Sequence, residues 1–582
     1  MTLTERATQG QDASFETEAT WFGDPGRPLL GWLSRPAGGA GRTGVVIAPP
    51  VAYEYWSSHR SLRALGERLA AAGHTVLRID YDGTGDSAGD QWDPGRVAAW
   101  RRSIAAAVAH LRQGAHLREG AHLREGAHLR EGGIEEVVLI GVRLGATMAL
   151  LEGAAAGAAR IVAWLPVASG RRYARELRLL ATPVPEESDP LQPGPTMTFA
   201  GNVFSAETLE ALRTLDVAAL AAAPAAAALV VDEPAGTSEP VVASLRALGV
   251  EVTHVQLEGS EESLRTAPEF AVTPDAILDA ICDWVGSAPP PRAPVAGPAG
   301  DMGRAVTMAW RQGTITETAM RLGELGHIGI VTAPASADAA PTTLVLLNPG
   351  SETHVGPGRA WVELARDLAL DGWRTIRVDF RGWGESADAG HAPGRPYDEW
   401  CEQDTIAILD QLRGAGFDRV AVCGLCAAAW IALRVAAVPS HPPAAGVIAL
   451  NPQLYWKRGD PVEIDWDLIR ARRADEIRRI ERGARAGLWS VLDRLGHRSP
   501  PARWLDQLAS AQAPVQLLFA ENDDGLIYLR GRHARRLQQV CRRGTVTMRE
   551  LPGIDHPMHL AWLRPRVVQA LAEALADIDG PA

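Results

Sequence analysis

The two halves of this 582-residue chain share a long segment, and this duplication limits the folds open to the chain. Residues 43–89 align without a gap with the segment that begins at Thr342, at a constant offset of 299 residues. Each copy has an apolar run, a Gly/Pro turn, a helical stretch, a second apolar run and the motif D-[YF]-x-G-x-G-[DE]-S. Because one long supersecondary unit is present twice, the chain is predicted to contain two related domains.

A change in composition near the middle of the chain marks the predicted boundary. Residues 288–301 are rich in Pro, Ala and Gly, which is typical of a semi-rigid interdomain linker. We therefore predict a flexible tail at residues 1–19, a first domain at 20–287 and a second domain at 302–582.

Short apolar runs alternate with helical patterns in both halves. Strands that are apolar throughout indicate a parallel sheet covered on both faces by helices, so each half is predicted to be a three-layer α/β/α domain. Longer helical intervals, at about 171–216 and 453–512, follow the same strand in each half. We interpret them as caps over the carboxyl edge of the sheet, where open α/β sheets bind ligands. The predicted strands are Val45–Ala48, Thr75–Ile79, Val137–Ile140, Ile161–Leu165, Ala228–Val231, Val252–Leu257, Leu344–Leu347, Thr375–Val378, Val420–Val422, Val447–Leu450, Val515–Phe519 and Val546–Leu551.

Four tandem hexapeptides occupy residues 109–132, where the first half has 16 residues more than the second. A period of six residues does not keep one helix face, so the repeat makes no apolar stripe and is interpreted as an expansion at the end of a helix. A metal-binding tract is the alternative, although successive repeat histidines would fall on different helix faces. These histidines are His110, His116, His122 and His128.

Composition excludes several functional classes. The formal net charge of −12 argues against a nucleic-acid binder, since phosphate contacts need a basic surface. Five cysteines in so long a chain exclude a disulfide framework and indicate a reducing compartment. We see no secretory signal, and the uncharged, alanine-rich stretch Val217–Val231 is too short to span a bilayer. We therefore expect a cytoplasmic protein without a membrane span.

The most informative motif lies in the second half, between Val420 and Leu433. An apolar strand ends at Gly424, a helix begins near Ala427, and Cys426 occupies the turn between them. This order is typical of a nucleophile elbow, with Cys in the Ser position and Ala428 in place of the last Gly. The positive end of the helix dipole favours a thiolate, so Cys426 is the predicted nucleophile.

A base and an orienting acid follow in the expected order. Asp523 comes directly after the strand Val515–Phe519, and His556 comes after Val546–Leu551. We predict a Cys426–His556–Asp523 triad, with His556 as the base and Asp523 as its orienting acid. Asp524 and His559 remain alternatives, because only position in the loop distinguishes them.

The predicted oxyanion hole uses backbone N–H groups. One donor is Ala427, and the second is Gly350 or Ser351, in the turn after the first strand of the second half. His354, in the same turn, either lines the mouth of the pocket or is an ordinary histidine of a surface loop.

The cysteines also have non-catalytic interpretations. Cys426 could be a buried structural cysteine, and with Cys423 it forms a C-x-x-C motif that could indicate redox chemistry or half of a zinc site. Cys423 lies within a strand and no second C-x-x-C exists, so we predict no metal site. Cys401 and Cys541 fall on helical stretches and are predicted to fill the core.

The first half lacks the catalytic parts. Its elbow position holds Arg143, whose guanidinium stays protonated and cannot act as a nucleophile. Asp232 remains at the acid position, but His254, inside a strand, is the only histidine after the elbow in this half. This half is therefore predicted to be non-catalytic. Arg143 either binds an anion or pairs with Asp232 or another local acid.

These motifs resemble the α/β-hydrolase superfamily in both halves, which implies two tandem α/β-hydrolase-fold domains. The second half is similar to exosortase A system-associated hydrolases of the first type, through Gly424-Leu-Cys-x-Ala-Ala, Leu450-Asn-Pro and the motif at 377–386. The first half resembles the second type, in which Arg also occupies the elbow, through Gly141-x-Arg-Leu-Gly-Ala. Relatives of this kind occur beside polyketide and peptide assembly lines, which implies a carrier-bound thioester substrate.

The leading functional hypothesis is cleavage or transfer of an acyl group from an ester or thioester. An acyltransferase or cyclase with an acceptor other than water is the first alternative, and a non-catalytic binding or scaffold protein is the second. We expect no metal ion or organic cofactor, no nucleic-acid partner, and intramolecular pairing of the two halves.

Overall fold

The computed structural model describes most of the chain outside the predicted linker and the second predicted cap. The described residues are 15–37, 41–113, 134–191, 195–286, 305–323, 325–336, 339–386, 396–436, 444–452, 500–509, 511 and 513–580. The chain divides into two compact units, Met1–Thr314 and Ile315–Ala582. Tail residues 1–14, repeat residues 114–132, linker residues 288–301 and cap residues 453–499 lie outside the described residues.

The first sheet has eight strands in the order β1-β2-β4-β3-β5-β6-β10-β11. Strands β3 to β6, β10 and β11 are parallel to one another, whereas β1 and β2 form an antiparallel edge beside β4. The strands are β1 Phe15–Asp24, β2 Arg27–Pro36, β3 Thr43–Ala48, β4 Thr75–Ile79, β5 Glu136–Val142, β6 Arg160–Trp164, β10 Ala227–Asp232 and β11 Glu251–Gln256.

The second sheet has nine strands in the order β12-β13-β14-β16-β15-β17-β18-β19-β20. Strands β15 to β20 are parallel, and β14 pairs antiparallel with both β13 and β16. The strands are β12 Val306–Trp310, β13 Gly313–Leu322, β14 His327–Pro334, β15 Thr342–Leu346, β16 Arg374–Asp379, β17 Arg419–Leu425, β18 Gly446–Leu450, β19 Val515–Ala520 and β20 Val546–Leu551.

Helices cover both faces of each sheet, and a separate hydrophobic core fills the space on each face. Those of the first half are α1 Tyr53–Ala71, α2 Arg96–Gln113, α3 Leu144–Ala156, α4 Gly170–Leu180, α5 Ala206–Arg213, α6 Glu239–Ala247, α7 Ser260–Leu264 and α8 Asp275–Val285. Those of the second half are α9 Ala360–Leu370, α10 Glu399–Gly414, α11 Ala427–Ala436, α12 Pro500–Ala509, α13 Asp524–Arg542 and α14 Arg564–Asp579. In the described ranges, no helix combines the length and the apolar character needed to cross a bilayer.

The three-layer α/β/α fold and all twelve predicted strands are confirmed, with shifts of a few residues at the strand ends. The sequence analysis does not predict the edge strands β1, β2 and β12 to β14. It looks for short runs that are apolar throughout, and β1, β12 and β13 mix buried and exposed residues. Residues 15–19, assigned to a flexible tail, instead form the start of β1, in which Phe15 pairs with Pro36.

The first cap also differs from its prediction as a helical insertion. Between α4 and α5 lies a small antiparallel sheet, formed by β7 Thr182–Pro183, β8 Met197–Phe199 and β9 Asn202–Phe204. Strands of two or three residues are too short to produce a recognisable alternation in the sequence, so only the helices were visible there.

The duplicated motif builds the same turn in both halves. Asp379 Oδ2 accepts a 2.9 Å hydrogen bond from the Glu385 N–H, and Asp80 Oδ2 accepts one of 2.9 Å from Asp86. A Cβ added at Gly384 would lie 2.0 Å from the Asp379 carboxylate, so only glycine fits this turn. The motif is therefore a structural element that fixes the end of the second parallel strand in each half.

Candidate active site

The turn between β17 and α11 holds Cys426 in a strained conformation. Its φ angle is 58°, in a region that costs a non-glycine residue about 1–3 kcal/mol. The Cys426 N–H donates to the Leu450 carbonyl at 3.0 Å, which ties the turn to the neighbouring strand β18. A Cβ on Gly424 would lie 2.2 Å from the Ala428 carbonyl carbon. Small residues therefore allow the close crossing of strand and helix that presents Cys426 at the sheet edge.

Asp523 lies just past β19, as the sequence predicts, and is almost fully buried. It is the N-cap residue of α13, and its Oδ1 accepts hydrogen bonds from the N–H groups of Gly525 at 2.8 Å and Leu526 at 3.4 Å. The other carboxylate oxygen, Oδ2, points to His556. The capping hydrogen bonds thus hold the Asp523 side chain in the rotamer that directs Oδ2 towards His556.

His556 lies between the other two predicted residues. Its Nδ1 is 2.5 Å from Asp523 Oδ2, and it is also hydrogen-bonded to Cys426. Burial by itself would lower the pKa of His556. The negative charge of Cys426, the hydrogen bonds to Asp523 and Cys426, and the charge of Asp523 outweigh it and raise the pKa to about 10. The arrangement therefore stabilises the charged form of the His556 ring.

Asp524 and His559, the alternative acid and base, lie next to these three residues. Asp524 is the first residue of α13. Burial lowers the pKa of His559 to about 4, and the positive charges of Arg564 and His556 act in the same direction against the opposing charge of Asp555. His559 is therefore a neutral imidazole near pH 7, and the structure brings Asp523 together with His556.

The predicted oxyanion loop follows β15. Gly350 has a φ angle of 61°, and a Cβ added there would meet no atom within 4 Å, so this side of the loop is open. Ser351 Oγ is buried and has no hydrogen-bond partner in the described part of the chain. Ala427 is the first residue of α11, where N–H groups have no partner within the helix. These positions are compatible with the predicted donors.

His354 neither lines the pocket mouth nor lies on a surface loop, so both sequence interpretations are wrong. The side chain is buried, and its Nδ1 lies 2.6 Å from Asp379 Oδ2. At the equivalent position of the first half, the Tyr55 hydroxyl donates to Asp80 Oδ1 at 2.6 Å. His354 thus anchors the oxyanion loop to the duplicated aspartate, a contact between loops that lie far apart in the sequence.

The other four cysteines carry no visible chemistry. All five cysteines are free thiols, and burial raises the pKa of Cys282, Cys401, Cys423 and Cys541 above the ordinary thiol value. Cys423 is fully buried in the core on one face of the sheet. In the described ranges, no group of three or more His, Cys, Asp or Glu side chains could hold a metal ion.

A buried ion pair braces the loop that carries the histidine. Arg564 Nη1 donates to Glu363 Oε2 at 2.7 Å, and both side chains are only 2% exposed. Arg564 also donates to the Pro357 carbonyl at 3.1 Å and to the Met558 carbonyl at 3.4 Å. The arginine therefore links the histidine loop to the segment after the oxyanion loop. The sequence gives no signal for this pair, because its partners are about 200 residues apart.

The first half reproduces the elbow without its chemistry. Arg143 has a φ angle of 54°, and its N–H donates to the Trp164 carbonyl at 2.9 Å, as that of Cys426 does to Leu450. The Arg143 side chain donates from Nε to Glu54 Oε1 at 2.7 Å. Of the two alternatives for Arg143, the structure supports pairing with a local acid, and that acid is Glu54 rather than Asp232.

Asp232 and His254 do not form a dyad. The Asp232 carboxylate accepts hydrogen bonds from the N–H groups of Glu233 at 3.0 Å and Ser238 at 2.9 Å, so it closes a backbone turn. His254 Nε2 lies 4.0 Å from Asp232 Oδ2, beyond hydrogen-bond distance. Within the described part of the first half, His254 and Asp232 therefore do not form a paired acid and base like that at His556.

Comparison with known proteins relates part of the chain to a known family. Residues 344–581 match the model of the alpha/beta hydrolase family. A search of curated proteins finds no match. Similar solved structures include proline iminopeptidase from Mycobacterium smegmatis, with 16% identity, 45% of this chain and 98% of that chain covered, and a TM-score of 0.31. Est1E from Butyrivibrio proteoclasticus, with ferulic acid bound, has 17% identity, with 46% of this chain and 98% of that chain covered, and a TM-score of 0.34.

A thioesterase domain from the curacin biosynthetic pathway has 14% identity, covers 45% of this chain and 99% of that chain, and has a TM-score of 0.28. The parallel sheets and covering helices are those of the alpha/beta hydrolase fold, and the family match lies in the second half of the chain.

Proposed function

We propose that the second half is an acyl-transfer enzyme in which Cys426 is the nucleophile, His556 the acid and base, and Asp523 the orienting acid. The observation that carries this proposal is the continuous contact from Cys426 through His556 to Asp523, with the 2.5 Å Nδ1–Oδ2 distance at its end. A raised pKa of His556 favours an imidazolium beside a thiolate, which is the reactive form of a cysteine nucleophile.

The reaction has two steps. The Cys426 thiolate attacks the carbonyl carbon of an ester or thioester, and the Ala427 N–H with that of Gly350 or Ser351 stabilises the oxyanion. One such donor is worth about 10²–10³ in rate. The bond to the leaving group breaks, and His556 gives its proton to the departing oxygen or sulfur. His556 then takes a proton from water or another acceptor, which cleaves the thioester to Cys426 and releases the acyl group.

A thioester is the substrate class that best suits this nucleophile. Exchange of one thioester for another changes the bond energy little, so transfer of an acyl group from a thiol carrier to a cysteine is close to equilibrium rather than uphill. We therefore infer an acyl group carried as a thioester, with a carrier protein as its source. The first half, which holds Arg143 at its elbow, is inferred to have a non-catalytic role.

The test uses the full chain and a panel of acyl-N-acetylcysteamine thioesters with acyl groups of increasing length. Intact-protein mass spectrometry is expected to show one acyl adduct, which is absent in Cys426→Ala. The matched controls are Cys282→Ala and Cys541→Ala, which remove other partly exposed thiols. Persistence of the adduct in Cys426→Ala, or its absence in the wild type across the panel, would contradict the proposal.

The same experiment identifies the acceptor. Release of the free acid identifies a hydrolase, whereas an acylated product formed only when an amine or alcohol is added identifies an acyltransferase. The decay of the Cys426 adduct is followed with and without hydroxylamine, a nucleophile stronger than water. Faster decay with hydroxylamine shows that the adduct is a thioester that water attacks slowly.

A further inference from the structure

A buried asparagine connects the acid and the base of the second half. Asn451 directly follows β18 and is only 3% exposed. Its Nδ2 donates to the His556 carbonyl at 2.8 Å, and its Oδ1 accepts from the Ala520 N–H at 2.6 Å. These partners fix the orientation of the amide, since a carbonyl only accepts and an N–H only donates. Both ends of the amide are thus engaged by backbone groups.

The strand-side bond reaches the acid through one more contact. Ala520 is the last residue of β19, and its carbonyl accepts a 3.2 Å hydrogen bond from the Asp523 N–H. Ala520 therefore contacts Asn451 through its N–H and the Asp523 turn through its carbonyl. On the other side, the asparagine contacts the backbone of His556 itself. One amide group therefore sets the spacing between the turn of Asp523 and the backbone of His556.

The backbone of Asn451 is held in a left-handed conformation. Its φ angle is 48°, and its N–H donates to the Leu518 carbonyl at 2.8 Å. Asparagine tolerates this region better than most residues with a β-carbon. The side chain is consequently aimed by a rigid backbone and by two hydrogen bonds, which is how a positioning residue is held.

The first half provides a natural comparison. Leu165 directly follows β6 there, has a φ angle of 46°, and donates its N–H to the Val231 carbonyl at 2.8 Å. The backbone conformation is thus the same, but leucine has no polar side-chain atom. This half also lacks a histidine in the loop after its last strand. The amide therefore occurs in the half that has a base to position and is absent from the half that has none.

We infer that Asn451 is a positioning residue that holds His556 in line with Asp523 and Cys426, an inference that rests on the proposed function of that trio. Asn451 does not contact the reacting atoms. Its hydrogen bonds restrain the histidine loop, so that the imidazole meets both partners without a search over loop conformations.

The test compares Asn451→Leu with the wild-type full chain. Leu165 shows that leucine adopts this backbone conformation, so the substitution removes the amide and keeps the turn. At pH 7 we expect the rate of Cys426 alkylation by iodoacetamide to fall at least tenfold. We also expect loss of the low-field proton resonance of the His556–Asp523 hydrogen bond. Asn451→Asp keeps an acceptor for Ala520 but places an oxygen against the His556 carbonyl, so the same losses are expected.

Gln516→Met is the matched control, because Gln516 is another buried amide in the same region of the sheet. It lies on β19 with its Nε2 3.4 Å from Asp577 Oδ2, and it is expected to retain both the alkylation rate and the resonance. Wild-type behaviour of Asn451→Leu in both measurements would overturn the inference, as would equal losses in Gln516→Met. If wild-type Cys426 shows no enhanced alkylation, the proposed function fails, while the His556 resonance still decides the role of Asn451.

Discussion

Arg143 Nε donates a 2.7 Å hydrogen bond to Glu54 Oε1, at the elbow position where the other half of the chain holds Cys426. The two side chains are 12% and 13% exposed. The second carboxylate oxygen, Glu54 Oε2, is buried and has no hydrogen-bond partner among the described residues. Burial raises the pKa of Glu54, and the charge of Arg143 opposes that shift. The first half thus holds a buried ion pair at this position, and the pair depends on both partners.

Removal of one partner is expected to destabilise the first half. Glu54→Gln leaves the Arg143 charge largely buried without its counter-ion, and we expect a loss of about 3 kcal/mol in the free energy of unfolding. Urea unfolding followed by circular dichroism measures it. The control is Glu210→Gln, which breaks the exposed pair with Arg213 and is expected to cost less than about 1 kcal/mol. Equal losses in the two variants would contradict this role of the buried pair.

The titration of His556 should depend on Cys426. In the wild type we expect the His556 ring to titrate near pH 10, because Cys426 and Asp523 stabilise its charged form. The stability that this proton contributes is complete below the unfolded pKa near 6.5 and is lost as the pH rises through about 10. In Cys426→Ala the pKa of His556 should fall, because burial lowers it and Asp523 alone then opposes that effect. NMR of histidine-labelled protein measures both values, and an unchanged pKa would rule out the pairing.

Asp523 combines two roles that one substitution separates. Asn is a good N-cap residue, so Asp523→Asn should leave the start of α13 intact and change the free energy of unfolding by less than about 1 kcal/mol. The amide does not carry the charge that holds the imidazolium, so acylation of Cys426 by a thioester should slow by about 10²–10⁴. Stopped-flow acylation and thermal unfolding measure the two effects. Loss of stability in parallel with rate would indicate a structural role alone.

A cysteine at the elbow of the first half should not become reactive. We expect R143C, in a Cys426→Ala background, to react with iodoacetamide at pH 7 at least tenfold more slowly than Cys426 in the wild type. The strained turn and the helix N-terminus are present there, but the loop after β11 contains no histidine. Peptide mapping of the alkylated protein measures the rate. Equal rates would show that the elbow geometry activates a thiol by itself.

Much of the fold was predictable because buried parallel strands are apolar throughout and the motifs between them are local. The elbow at Cys426, the acid after β19 and the histidine after β20 each depend on a residue's position at the end of one strand. The edge strands β1 and β12 to β14, and the short strands of the first cap, lack such a signal. Residues 15–19 were therefore assigned to a tail although they belong to a sheet.

The contacts around the site were not predictable in the same way. His354 bonds to Asp379, Arg143 to Glu54, and Asn451 to both Ala520 and His556, across separations of 25 to 105 residues. A single sequence shows which groups each residue offers but not which of them meet. Pairing therefore depended on strand order and loop packing, which bring distant residues to one edge of the sheet.

By itself, the sequence determined the two-part organisation of the chain, the fold of each part and the order of Cys426, Asp523 and His556, because local patterns and spacing encode these features. The tertiary structure alone decided which acid pairs with which base, that Arg143 pairs with Glu54, and that Asn451 connects the histidine loop to the turn of Asp523. Such choices are energetic. Each buried polar group needs a partner at hydrogen-bond distance, and only the folded chain establishes those distances.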